Sequence, residues 1–130
     1  MTDRQLVRSG SPYETAVGFS RAVRVADRVM VAGTAPIEPD GGCTPDPEAQ
    51  AMRCLTIMTT ALEEAGAQAA DVVRTRMYIT DASVAEAVGR AHARVFGEAR
   101  PAATMVVVGG LLDDRWFVEM EAEAIIGSGA

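Results

Sequence analysis

The chain has 130 residues, with 12 basic side chains (all Arg) against 18 acidic ones, for a net charge of −6, and it is 48% hydrophobic and 23% charged. Its length is that of one domain and its mix that of a folded one, so we expect a single domain over 1–130 and exclude a disordered chain. The acidity, with no basic stripe, points away from nucleic acid and anionic lipid as partners, and no apolar run approaches the roughly 18 residues of a membrane span. A short strand is expected at 4–8. The runs GFSRAVRV (18–25) and VMVAG (29–33), parted by Ala26, Asp27 and Arg28, predict a hairpin. Residues 36–47 (PIEPDGGCTPDP) concentrate Pro and Gly and predict a loop.

Asp46 followed by Pro47 is a helix start, an N-cap carboxylate before a proline at the first helical position. Met52, Leu55, Met58, Leu62 and Ala65 recur at helical spacing and Gly66 offers a stop, so a helix is predicted over 47–65. Its methionines form a core stripe rather than a ligand set. Residues 72–80 (VVRTRMYIT) predict a strand. Ser83 with Glu86 has the spacing of a capping box, and Val84, Val88, Ala91 and Val95 line one face of a helix over 83–96. Residues 103–108 (ATMVVV) and 116–126 (WFVEMEAEAII) predict two more strands. The expected class is α/β (α+β), a single sheet with two helices on one face.

Cys43 and Cys54 form neither a CxxC nor a zinc spacing and read as reduced thiols of a cytoplasmic protein. The N-terminal MTDRQLVRSG has no signal-peptide h-region. His92 is the one histidine, which argues against a metal site. Beside Val88, Val95 and Phe96 it reads as a partly buried, hydrogen-bonded helix residue, with a catalytic base as the alternative.

Strand alternation divides the chemistry between two faces. On 72–80, Val73, Thr75, Met77 and Ile79 point one way, and Arg74, Arg76 and Tyr78 the other. On 116–126, Val118, Met120, Ala122, Ala124 and Ile126 form an apolar face, opposite Glu119, Glu121 and Glu123 with Phe117 and Ile125. The helices are expected on the apolar faces. The charged side is then either a solvated, salt-bridged surface or a contact between copies with a polar pocket at its rim, to which Phe19, Val23, Val25, Phe117 and Ile125 add apolar area.

Three ordered blocks carry a family likeness. GFSRAVRVADRVMVAGTAP (18–36) resembles the N-terminal hairpin of the RidA/YjgF family, also labelled endoribonuclease L-PSP. DPEAQAMRCLTIMTTALEEAGAQAADVVRTRMYITD (46–81) is similar to its helix and following strand, and RPAATMVVVGGLLDDRWFVEMEAEAI (100–125) to its C-terminal signature. The resemblance implies a chorismate-mutase-like homotrimer whose sheets form a central β-barrel, with small-molecule clefts between copies. It also implies hydrolysis of reactive enamines or imines of the 2-aminoacrylate type to keto acids and ammonia, with no cofactor. In such a site a guanidinium clamps the substrate carboxylate and a carboxylate positions water. The charge of −6 and the sparse aromatics speak against RNA as substrate.

Carried over position by position, the family's acidic residue falls on Glu119, its glycine on Gly33 and its hydroxyl on Thr104. The pocket tyrosine falls on Phe19, the serine before the glycine on Ala32, the pocket cysteine on Met105, and the signature arginine on Ala103. Losing a bidentate clamp costs on the order of several kcal/mol unless another cation replaces it. Arg76 is the first candidate, its structural alternative being a cross-strand partner of Glu119 or Glu121; Arg74 and Arg100 follow. Glu119 has a salt bridge between copies as its alternative role, and Thr104 that of a β-branched strand residue. Three functions therefore stay open: an enamine or imine deaminase, a non-catalytic metabolite-binding trimer, and a hydrolase of another small nitrogenous compound.

Overall fold

The structure, a computed structural model, describes residues 3–129. In chain order it contains β1 (Arg4–Val7), β2 (Ala22–Val25), β3 (Arg28–Thr34), α1 (Pro47–Glu64), β4 (Val72–Ile79), α2 (Ala85–Phe96), β5 (Ala102–Val107) and β6 (Val118–Ile125). The strands form one six-stranded sheet in the order β1-β2-β3-β6-β4-β5. All neighbours are antiparallel except β4 and β5, and α2 supplies the crossover that this parallel pair requires. Among the described residues no helix is long and apolar enough to cross a membrane.

The ends of α1 follow from its sequence. The Asp46 side chain accepts a hydrogen bond from Ala49 N at 2.8 Å, Pro47 opens the helix, and Gly66 leaves it at φ 93°. That left-handed geometry strains any residue with a β-carbon. Leu55, Met58 and Leu62 of α1 join Val88, Ala91 and Phe96 of α2 in one buried cluster with the apolar faces of β3, β4 and β6. Both helices thus cover the same side of the sheet, as alternation in β6 predicts: Val118, Met120, Ala122 and Ala124 are buried, and the three glutamates between them are not.

Local differences from the sequence reading have local causes. The run 18–25 does not extend as one strand. Glu14–Gly18 close a π turn, and the strand proper begins at Ala22. Val73 is exposed rather than inward because the β4–β6 register shifts between Val72 and Arg74, which hands the core position to Val72. Ser83 and Glu86 form no capping box. The Asp81 carboxylate accepts from Ser83 N at 2.8 Å and caps a 3-10 turn over Ala82–Val84, so α2 begins only at Ala85. Trp116 and Phe117 precede β6, and Ile126 follows it.

Gln50 ties α1 to the loop before β6. It is fully buried; its Nε2 donates to the carbonyls of Thr44 and Arg115, and its Oε1 accepts from Phe117 N, each at 2.8 Å. Replacing it by Leu leaves the Phe117 N–H without a partner inside the protein and the two carbonyls with only the weak Cys43 thiol, 3.6 Å from Thr44 O and 3.8 Å from Arg115 O. We expect Gln50→Leu to lower unfolding stability by about 3 kcal/mol in urea titrations, with an unchanged denaturant slope.

Candidate functional site

The ladder between β3 and β6 is interrupted. Its register shifts between Val31 and Thr34, and Gly33 lies in that irregularity. A β-carbon on Gly33 would sit 2.7 Å from Oε2 of Glu119, so the absence of a side chain is what lets the carboxylate lie against the strand. Arg21, just before β2, donates from Nη2 to the Gly33 carbonyl. The ring of Phe19 lies 5.8 Å from the Arg21 guanidinium. The π turn aims this pair: Phe19 N donates to the Glu14 carbonyl at 2.9 Å. The turn is itself anchored through the buried Glu14 side chain, which accepts from Ser9 N at 3.2 Å and from the Ser9 hydroxyl.

Burial raises the Glu119 carboxyl above the ordinary glutamate value; Arg21 opposes the rise and Glu121 adds to it. Burial also pulls the Arg21 guanidinium below its usual value, against the attraction of Glu14 and Glu119. The Cys54 thiol on α1 is fully enclosed and pushed far up by burial and then by Glu119, so it stays protonated and inert. Among the described residues no carboxylate lies within 4.0 Å of Arg21, and its buried Nε has no hydrogen-bond partner. Among the described residues no cluster of His, Cys, Asp or Glu is arranged to hold a metal ion.

The structure brings Phe19, Gly33 and Glu119 together and leaves the other predicted residues apart. Ala103, Thr104 and Met105 stand on β5, the edge strand, separated from Glu119 on β6 by the whole of β4. Parallel pairing sets Ala103 beside Thr75 and Met105 beside Met77 on the helix side, and Thr104 beside Arg76 on the open side. Arg76 takes the cross-strand place given as its alternative. Its Nη1 lies 3.5 Å from Glu121 and 3.4 Å from Glu123, not beside Glu119, because register pairs it with Glu121. Tyr78 donates to the same Glu121 at 2.7 Å. This is the cross-strand role, worth only ~0–1 kcal/mol per exposed pair.

Arg74 stands opposite Glu123, with its Nε buried and unpartnered. Arg100 is exposed before β5, beside an open concavity of about 560 Å³ that also involves Val73, Glu98 and Ser128, away from Glu119. His92 bonds Thr75 Oγ1 at 2.9 Å and packs its ring 5.1 Å from that of Phe96; burial lowers its pKa. Thr75 is buried on the helix side, so His92 and Glu119 lie on opposite faces of the sheet. The residue that sequence reasoning missed is Arg21. Its signal was its place two positions after Phe19 and two before Val23, on the open face by alternation.

The family model described as Endoribonuclease L-PSP matches residues 10–126. The uncharacterized protein SCO2049 of Streptomyces coelicolor is 40% identical over 126 residues, covering 94% of this chain and 92% of its own. A RutC family protein of Pyrococcus abyssi is 35% identical over 108 residues, covering 82% of this chain and 84% of its own. The crystal structure of Rv2704 from Mycobacterium tuberculosis, a protein of the YjgF/YER057c/UK114 family, superposes with a TM-score of 0.88 at 46% identity, covering 95% of this chain and 100% of that one. With a match that runs from the π turn through β6, the chain belongs to the RidA/YjgF family, the one the endoribonuclease L-PSP model describes.

Proposed function

We propose that this protein is a homotrimer that takes a small nitrogenous molecule into clefts between its copies and hydrolyses a reactive enamine or imine there. The observation that carries this reading is the Glu119 carboxyl, half-buried against the bare backbone of Gly33 with its pKa raised. Such a group is suited to general acid–base work, because its pKa moves toward neutrality. Protonation at the enamine carbon gives the iminium ion. Water then adds to its carbon while the Glu119 carboxylate accepts one water proton, giving a carbinolamine; that proton returned to nitrogen makes ammonia the leaving group, and the hydroxyl proton passes to solvent as ammonia departs and the carbonyl forms. The division of the predicted residues between the β3–β6 bulge and the β5 edge supports a cleft between copies, since one chain keeps the two sets apart.

A second reading, a cleft that binds a metabolite without turning it over, is favoured by the residues Phe19, Ala103 and Met105. They stand where the family has a tyrosine, an arginine and a cysteine, and they leave fewer polar groups to act on a substrate.

Three measurements test the proposal. Ammonia release from 2-iminopropionate generated in situ is expected to exceed the buffer rate, and Glu119→Gln to reduce that excess by on the order of 10²–10⁴. A wild-type rate no faster than buffer removes the imine chemistry. Light scattering at micromolar concentration is expected to give three chain masses, and one chain mass removes the shared cleft. The third readout is the pH dependence of stability. A carboxyl whose folded pKa is raised contributes stability fully below its unfolded value of 4.5, and that contribution is lost as pH rises through the folded value. The stability of the wild type relative to Glu119→Gln is therefore expected to fall as pH rises from 4 to 7 in denaturant titrations.

A further inference from the structure

We propose that Arg21 is the group that recognises the ligand in the Glu119 crevice, and that it selects small monocarboxylates. This rests on the reading of that crevice as the ligand site. Arg21 is the cation the fold places there. It shares the Gly33 peptide with Glu119: the guanidinium bonds its carbonyl, and the carboxylate occupies the space where its β-carbon would stand. A guanidinium offers five N–H donors in a planar fork. The Gly33 carbonyl takes one; the buried Nε has no partner, and no carboxylate within 4.0 Å neutralises the charge among the described residues. Holding a half-buried cation with no carboxylate in direct contact is costly, and the cost is recovered when a carboxylate docks and forms charge-assisted bonds.

The surroundings limit the anion. Glu14, Glu119 and Glu121 all act on this region through their charges. Two or more negative charges on a ligand meet repulsion from these carboxylates, so phosphate esters and nucleotides are rejected and a single planar carboxylate is accepted. Phe19 over the guanidinium adds an apolar wall that suits a short carbon chain. The competing account is that Arg21 only props the bulge through the Gly33 carbonyl. The two accounts differ in what they predict for ligand charge.

The test is calorimetric titration of the full-length protein with pyruvate and with its neutral amide, pyruvamide. The wild type is expected to bind pyruvate at least about tenfold more tightly than pyruvamide. Arg21→Gln should abolish that preference, and Arg21→Lys, which keeps the charge but not the fork, should restore part of it. Arg76→Gln, which breaks only the pairs with Glu121 and Glu123, should leave it unchanged. A preference that survives in Arg21→Gln, or no preference in the wild type, overturns the proposal. If Arg21→Gln does not fold, the Lys variant decides: a preference equal to that of the wild type shows no role for the fork and overturns the specificity argument. Should Glu119→Gln weaken both probes alike while Arg21→Gln leaves the preference intact, the Glu119 crevice stands and the assignment to Arg21 falls. Wild-type protein that binds neither probe overturns the assignment, while the ammonia-release assay reports separately on Glu119.

Discussion

The arrangement depends on a single steric allowance. β3 and β6 cannot keep a regular ladder through Gly33, and the missing side chain there admits the carboxylate of Glu119. A regular strand would have kept Glu119 in line with Glu121 and Glu123 as one more solvated acid on the open face. Pressed against backbone and partly removed from water, it keeps its proton more readily than a free glutamate does. The interruption also turns the Gly33 carbonyl toward Arg21, so one irregular peptide organises both charged groups.

The scaffold around that point is conventional. Two helices bury one face of the sheet, Gln50 fastens the loop before β6 to the core, and Glu48 bridges to Arg90 at 2.8 Å and Arg94 at 3.1 Å to clamp the helices together. None of these features faces the crevice. Packing stability and the chemistry of the open face are thus carried by different residues, and the open face is free to vary without loss of the fold.

Much of this was legible in the residues themselves. The periodicity of Met52, Leu55, Met58 and Leu62, bounded by Asp46 and Gly66, predicts α1 within one residue at its C-terminus, because capping chemistry acts locally. The alternation in β6 names its buried face because side chains on a strand have period two. What was not legible depends on contacts far apart in sequence. Val73 and Val72 are equally apolar, and only the register against β6 decides which is buried. Ser83 and Asp81 both offer cap chemistry, and the geometry at the end of β4 selects Asp81. Arg76 and Arg21 both lie on the open face. Cross-strand pairing commits the first to Glu121 and Glu123, while a bulge twelve residues away offers the second the Gly33 carbonyl, at the glycine against which Glu119 lies. Motif position located Glu119 and Gly33, but no motif carries the position of a guanidinium that arrives from another strand.

The edge strand β5 has a consequence for how the folded chain is handled. Ala102–Val107 carries no charge, proline or bulge of the kind that usually guards an unpaired backbone edge, and Val106 and Val107 are 42% and 57% exposed. A ribbon like this templates hydrogen bonding with any extended segment that meets it. Such an edge is the kind of site at which partly unfolded copies add strands and aggregate. Recovery from denaturant should accordingly depend on dilution rate more strongly than packing of the core alone would require.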